Sequence, residues 1–281
     1  MRKTIPTRIG PCYPRCAPTY TPGGPRAHRL ASGLIPSEGA VPCGLLDNLI
    51  AYWPGNEAAG NALDAHTNGL DLTDNNTVTS NPGHVYALAR QYTLATSEYH
   101  SRASEALLQT GDVDFTIAAW VYHDTVSTYQ RIVAKDNSVA GEREYSLLFA
   151  AAGGGFNRFR LYVYRPVDAG VYVSADTLGE PSVNTWYFVV GWHDSVADTI
   201  YIQVNNGGVD SNATGGALQA ASSAQFRIGA AQYPAAVHYM NGRIGPTAIW
   251  KSAAGGGGVL TAAQRTCLWN GGAGLAYADF T

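Results

Sequence analysis

The stretch Asp114-Phe115-Thr116-Ile117-Ala118-Ala119-Trp120-Val121-Tyr122 constrains the fold more than any other part of the chain. On an extended backbone Phe115, Ile117, Ala119 and Val121 share one side, and Thr116, Ala118, Trp120 and Tyr122 the other. A period of two with apolar or aromatic groups on both sides predicts a strand covered on both faces. Trp186-Tyr187-Phe188-Val189-Val190-Gly191-Trp192 repeats the pattern, and Asp198-Thr199-Ile200-Tyr201-Ile202-Gln203-Val204 leads into Asn205-Asn206-Gly207-Gly208. Asn-Gly between alternating runs is a strong hairpin signal, because both turn residues take positive φ.

The remaining segments supply partners for these strands. Short strands are expected at 49–54, 70–73, 85–94 and 98–100, then at 131–135 paired with 145–150 and at 159–164 paired with 170–174. Residues 224–229 add another. The last strand region, 240–250, is expected to be broken by Gly245-Pro246. Ser104 is expected to cap a helical turn over 104–108, and Thr261 a short C-terminal helix over 261–269 that Asn270-Gly271 ends. No helix–strand alternation is present, so the expected fold class is all-β, an antiparallel sandwich.

Residues 1–44 break this pattern. They hold eight of the 14 prolines and no periodic apolar face, which predicts an extended arm ahead of a globular body at 45–281. Charge divides the same way. Residues 1–43 carry Arg2, Lys3, Arg8, Arg15, Arg26 and Arg29 against Glu38 alone, net +5, while the remainder has 12 basic and 20 acidic residues, net −8. A basic arm on an acidic body suits docking on other copies or on a neighbouring structural protein; a solvated tail is the alternative, and nucleic acid is not expected. Six prolines between Thr4 and Pro25 argue against a secretory leader, and no apolar run reaches the roughly 18 residues of a membrane span. Of the four cysteines, Cys12 and Cys16 have the wrong interval for a zinc knuckle. Cys43 and Cys267 flank the body, where a closed sandwich would bring them together as a disulfide or leave free thiols.

The order of segments resembles the laminin G-like, concanavalin A-like jelly-roll family. Leu49–Pro54 followed by Glu57 and by Asp64-Ala65-His66-Thr67-Asn68-Gly69 resembles its opening W-x-x-x-E and D-x-S-G-N-G motifs. Phe115–Val121, the 186–205 hairpin, Phe226–Gly229, Met240–Ile244 and the terminal helix resemble its later elements, over about residues 45–275. The resemblance implies a jelly-roll sandwich that hosts lectins, adhesins, glycosidases or structural proteins. Two departures bear on function. Ile244 is followed by Gly245-Pro246 where the family often carries Asp-Glu, so a structural calcium would rest on Asp64, Asn68 and loop carbonyls. The Glu-x-Asp-x-x-Glu strand of glycosidase relatives has no counterpart. Glu142-Arg143-Glu144 is the nearest cluster and reads as a solvated loop.

No cofactor or catalytic residue is therefore expected. Arg160, Tyr162, Tyr164 and Tyr172 are expected to share one face of adjacent strands, where they would stack sugar rings or anchor a protein interface, or simply pack. The leading expectation is a non-enzymatic virion structural protein, such as a capsid decoration or head fibre, anchored by its arm. The alternative is a carbohydrate-binding adhesin or lectin module at a cell surface.

Overall fold

The 114–122 segment becomes the long central strand of one sheet in a computed structural model, which describes residues 43–137, 139, 141–151, 157–166, 169–220, 222–232 and 238–281. Residues 1–42 of the expected arm, with Arg2, Lys3, Arg8, Arg15, Arg26 and Arg29, lie outside the described residues, as do Cys12 and Cys16. In chain order the first strands are β1 (Leu49–Trp53), β2 (Thr73–Asn75), β3 (Thr79–Pro82), β4 (Leu88–Tyr92), β5 (Tyr99–Arg102) and β6 (Asp114–His123). Next come β7 (Gln130–Asp136), β8 (Arg143–Ala150), β9 (Arg158–Arg165), β10 (Ala169–Ser174) and β11 (Trp186–Asp194). The last are β12 (Thr199–Val204), β13 (Val209–Ala213), β14 (Phe226–Ile228) and β15 (Gly242–Ser252), followed by helix α1 (Ala262–Trp269).

These strands form two antiparallel sheets. One has the order β13-β12-β11-β6-β15-β4-β3, with β1 also paired to β15; the other runs β10-β9-β8-β7-β14-β5-β2. Every pairing between named strands is antiparallel. Alternation along β6 explains the layering. Phe115, Ile117, Ala119 and Val121 enter the core between the sheets, with Leu147, Phe149, Leu161 and Val163 from the other side. Ala118 and Trp120 face outward into a second apolar cluster with Phe188, Trp192 and Trp250, closed by Leu260, Leu268 and Phe280 of the C-terminal segment. Thr116 fits this covered outer face because its hydroxyl donates to Gly258 O (2.8 Å) and accepts from Leu260 N (3.1 Å).

Three local expectations are corrected. The 240–250 region is one strand carrying a bulge between Ile244 and Thr247, not a break. Pro246 offers no N–H to the ladder, so the strand bulges there and changes neighbour, pairing β4 before it and β1 after it. Ser104 caps nothing: the 3₁₀ turn Ala106–Leu108 starts after Glu105, and the Ser104 hydroxyl donates to Ser222 O (2.7 Å). The hairpin turn after β12 is centred on Asn205 and Asn206, at φ 51° and 55°, one residue before the Asn-Gly pair. Asparagine tolerates this left-handed region, so two of them close the turn without glycine.

Helix α1 matches its expected signals. Thr261 accepts from Gln264 N and the Gln264 side chain bonds back to the Thr261 backbone, a reciprocal cap, and Asn270 ends the helix at φ 47°. Cys43 and Cys267 are joined as a disulfide with Cα atoms 6.5 Å apart, fastening the start of the sandwich to α1. Glu144 is not a solvated loop residue: it lies in β8, fully buried, 2.7 Å from the Lys135 ammonium. Ser222 supplies N–H and O–H donors to the same carboxylate.

Candidate functional site

The β9–β10 hairpin carries the candidate site. Alternation sends Phe159, Leu161 and Val163 into the core, which leaves Arg160, Tyr162 and Tyr164 on the outer face of the sheet. Register places Tyr172 opposite Tyr162, Ser174 opposite Arg160 and Gly170 opposite Tyr164. The Tyr162 and Tyr172 rings stack at 4.8 Å with their planes 28° apart, and the Arg160 guanidinium lies over the Tyr172 ring at 4.8 Å. Arg160 Nε donates to Ser174 Oγ (2.9 Å), which fixes the guanidinium along the rings. Burial pushes the Tyr162 phenol up, opposed by the positive charge of Arg160.

Tyr172 and Tyr164 have different fates. Because β10 is the edge of its sheet, Tyr172 is 43% exposed, whereas Tyr164 is 3% exposed. Tyr164 accepts from Arg143 Nη2 (2.7 Å) and donates to Asp136 Oδ2 (3.4 Å), with Arg143 over its ring at 4.2 Å. Asp136 is fully buried and pairs with Arg143 (2.7 Å) and Arg131 (3.3 Å). Three of the four expected platform residues therefore form one outward group, and the fourth belongs to a polar network beneath. That network escaped the sequence because Asp136 and Arg143 come from the β7–β8 hairpin, whose register shifts at Lys135/Asp136. Across the same outer face, Tyr172, Tyr162, Ser146, Ala134 and Arg227 lie in one cross-strand row.

The outer face of this hairpin therefore presents two stacked tyrosine rings beside a guanidinium held by Ser174. A family model for the concanavalin A-like lectin/glucanases superfamily matches residues 95–256, which include this hairpin and the central strand. The chain belongs to this superfamily.

No curated protein matches the chain significantly. Solved structures share the fold at low identity. Domain 4 of AbnA, an extracellular arabinanase from Geobacillus stearothermophilus solved with arabinotriose, is 14% identical at a TM-score of 0.54, covering 78% of this chain and 97% of that one. Botulinum neurotoxin type C, described as entering cells through interaction with two ganglioside molecules, gives 12% and 0.57 over 81% of this chain and 52% of that one. The binding domain of Paraclostridial Mosquitocidal Protein 1 gives 10% and 0.55 over 74% and 50%. The chain thus spans about half the length of the toxin structures.

Within the superfamily fold, the loop that carries the D-x-S-G-N-G-like residues is held by its own carboxylate. Asp64 Oδ1 accepts from Tyr52 N and His66 N, and Oδ2 from Leu70 N, each at 2.9 Å. Asn68 Nδ2 donates to Ile50 O (2.8 Å). Asp64 and Asn68 therefore serve the turn that seats the loop on β1, and among the described residues no group of three or more His, Cys, Asp or Glu side chains could hold a metal ion. No helix among these residues is long and apolar enough to cross a membrane.

Proposed function

We propose that this chain is a non-enzymatic carbohydrate-binding module whose sugar-stacking platform is Tyr162 and Tyr172 with Arg160. The observation that carries the reading is the stacked tyrosine pair at 4.8 Å with Tyr172 43% exposed at the sheet edge. A ring left part-exposed at the sheet edge, beside a guanidinium fixed in place, offers apolar contact to sugar C–H groups and N–H donors to hydroxyls. Membership of a lectin/glucanase superfamily supports the sugar-binding part of the reading, as do the arabinotriose and ganglioside named for two structural neighbours. The buried carboxylates of Glu144 and Asp136 are committed to Lys135 and to two arginines, which suits a structural role.

Binding to an array of oligosaccharides, followed by calorimetric titration of the strongest ligand, tests the proposal. Tyr172→Ala and Tyr162→Ala are each expected to weaken binding by about tenfold or more, on the scale of a buried aromatic anchor. Unchanged affinity in both variants, with the fold intact by circular dichroism, contradicts the platform.

A second reading concerns where the module works. Eight prolines and six basic residues against one acidic residue in the first 44 positions favour an arm that straps the module onto an assembly, and we place that assembly in a virion. A cell surface is the alternative location. The Cys43–Cys267 disulfide accords with final residence outside a reducing compartment in either case. Removal of residues 1–42 is expected to abolish incorporation into the native particle while leaving sugar binding unchanged; full incorporation without the arm contradicts this reading.

A further inference from the structure

Beside the platform, the open edge of the sandwich contains a hollow that the stacking model does not use. It lies between β10, the edge of one sheet, and β13, the edge of the other, with a volume of about 230 Å³. At about 30 Å³ per water in the liquid, that is space for several waters that a small polyol could displace. Tyr172, Ser174 and Asp176 form one wall, and Asp210 and Asn212 contribute to the other. A second hollow of about 240 Å³ continues past Asp210 along Gly207 and Gly208.

We infer that this hollow is a second subsite, which takes an uncharged sugar extending from a ring stacked on Tyr172. The inference rests on the platform reading, because Tyr172 is shared by both surfaces. Its polar groups are held in place before any ligand arrives. Asn212 Nδ2 donates to Tyr172 O (2.8 Å) and so ties the two sheet edges together. Asp210 is fixed by both the N–H (3.0 Å) and the hydroxyl (2.8 Å) of Thr177, and Asp176 by Arg158 Nε (3.1 Å). Groups fixed in this way lose little freedom on binding, which favours recognition of a small polyol. Carboxylate and amide oxygens dominate the lining and suit sugar hydroxyls as donors. Asp176 is offset by Arg158, whereas Asp210 is bonded to the neutral Thr177, so the Asp210 carboxylate is the charge that selects against a uronate or sialic acid there.

The test uses the full chain and neutral arabino- and gluco-oligosaccharides of two to six sugars, with uronate-ended counterparts of each, in calorimetric titrations. Affinity of the wild type is expected to rise about fivefold for the sugar that enters the hollow, the equivalent of one net hydrogen bond. Ser211→Trp, at an exposed residue that lines the hollow and makes no side-chain bond to the platform, is expected to bind disaccharides unchanged and to lose the gain with length. Asp176→Lys changes a side chain that is 71% exposed, so the fold tolerates it, and it is expected to favour uronate-ended over neutral probes by about fivefold or more. A length gain that persists in Ser211→Trp, or a wild type that prefers uronate-ended probes, overturns the inference while Tyr172→Ala still reports on the platform. Loss of disaccharide binding in Ser211→Trp also counts against two separable subsites. Absence of binding to every probe overturns both readings.

Discussion

Tyr164 and Tyr172 separate stability from recognition at the scale of single residues. Tyr164→Phe removes a hydroxyl that bonds both Arg143 and Asp136, so a cost of about 1–3 kcal/mol in stability is expected with sugar affinity unchanged; chemical denaturation and titration of one sample measure both. Tyr172→Ala is expected to show the reverse. Alternation along β9 and β10 made the shared face legible from sequence, but the depth of each ring was not, because burial of Tyr164 depends on side chains of another hairpin. Buried histidines were equally illegible: scattered along the sequence, they gain their character from what packs around them. His123 is enclosed by Phe149 and Phe159, with Nδ1 3.2 Å from Gln130 Oε1, and burial pushes its pKa down to about 4. Burial brings His100, beside Arg90 and Tyr92, down to about 4 as well. Since the unfolded chain protonates near pH 6.5 and the folded one does not, stability is full above that pH and declines as pH falls towards 4. The decline is expected to reach about 3 kcal/mol per histidine and then level off. Thermal melts from pH 8 to 3.5 check this, and His123→Phe is expected to remove about half of the decline.

At the scale of elements, the strands with strict alternation and the capped helix could be read from the chain alone, since each depends on local period and local capping chemistry. The short strands β2 and β3, and the bulge in β15, could not. Thr79–Pro82 has no apolar face and is a strand because Leu88–Tyr92 offers it an edge. Gly242 is fixed by a close approach: at φ 147°, an added Cβ would come 2.1 Å from Tyr122 O, so any side chain there displaces β15 from β6. The C-terminal segment acts as a lid on the outer apolar face, and two devices hold it. Thr261→Ala is expected to cost about 1 kcal/mol by removing the reciprocal cap. Cys43→Ser with Cys267→Ser opens a loop of 224 residues and is expected to cost about 2–4 kcal/mol, read as a lower unfolding midpoint that reductant no longer shifts.

For the whole molecule, the arrangement follows from one strand with two apolar sides. Because β6 is apolar on both faces, the sandwich needs a core between its sheets and a second cover outside, which the chain end supplies through Leu260, Leu268 and Phe280. The opposite sheet has no such apolar band at its β9–β10 edge among the described residues, and there Tyr162 and Tyr172 remain part-exposed. Sequence order was enough to place the chain in a superfamily of sandwiches, whereas the meeting of edge strands β10 and β13, 40 residues apart at Tyr172 and Asn212, needed the folded structure. The most direct test of the account is calorimetric titration of the array-selected oligosaccharide into wild-type protein and into Tyr172→Ala. The account predicts saturable binding by the wild type and a loss of about tenfold or more in the variant. Equal affinity in the two folded proteins would contradict it.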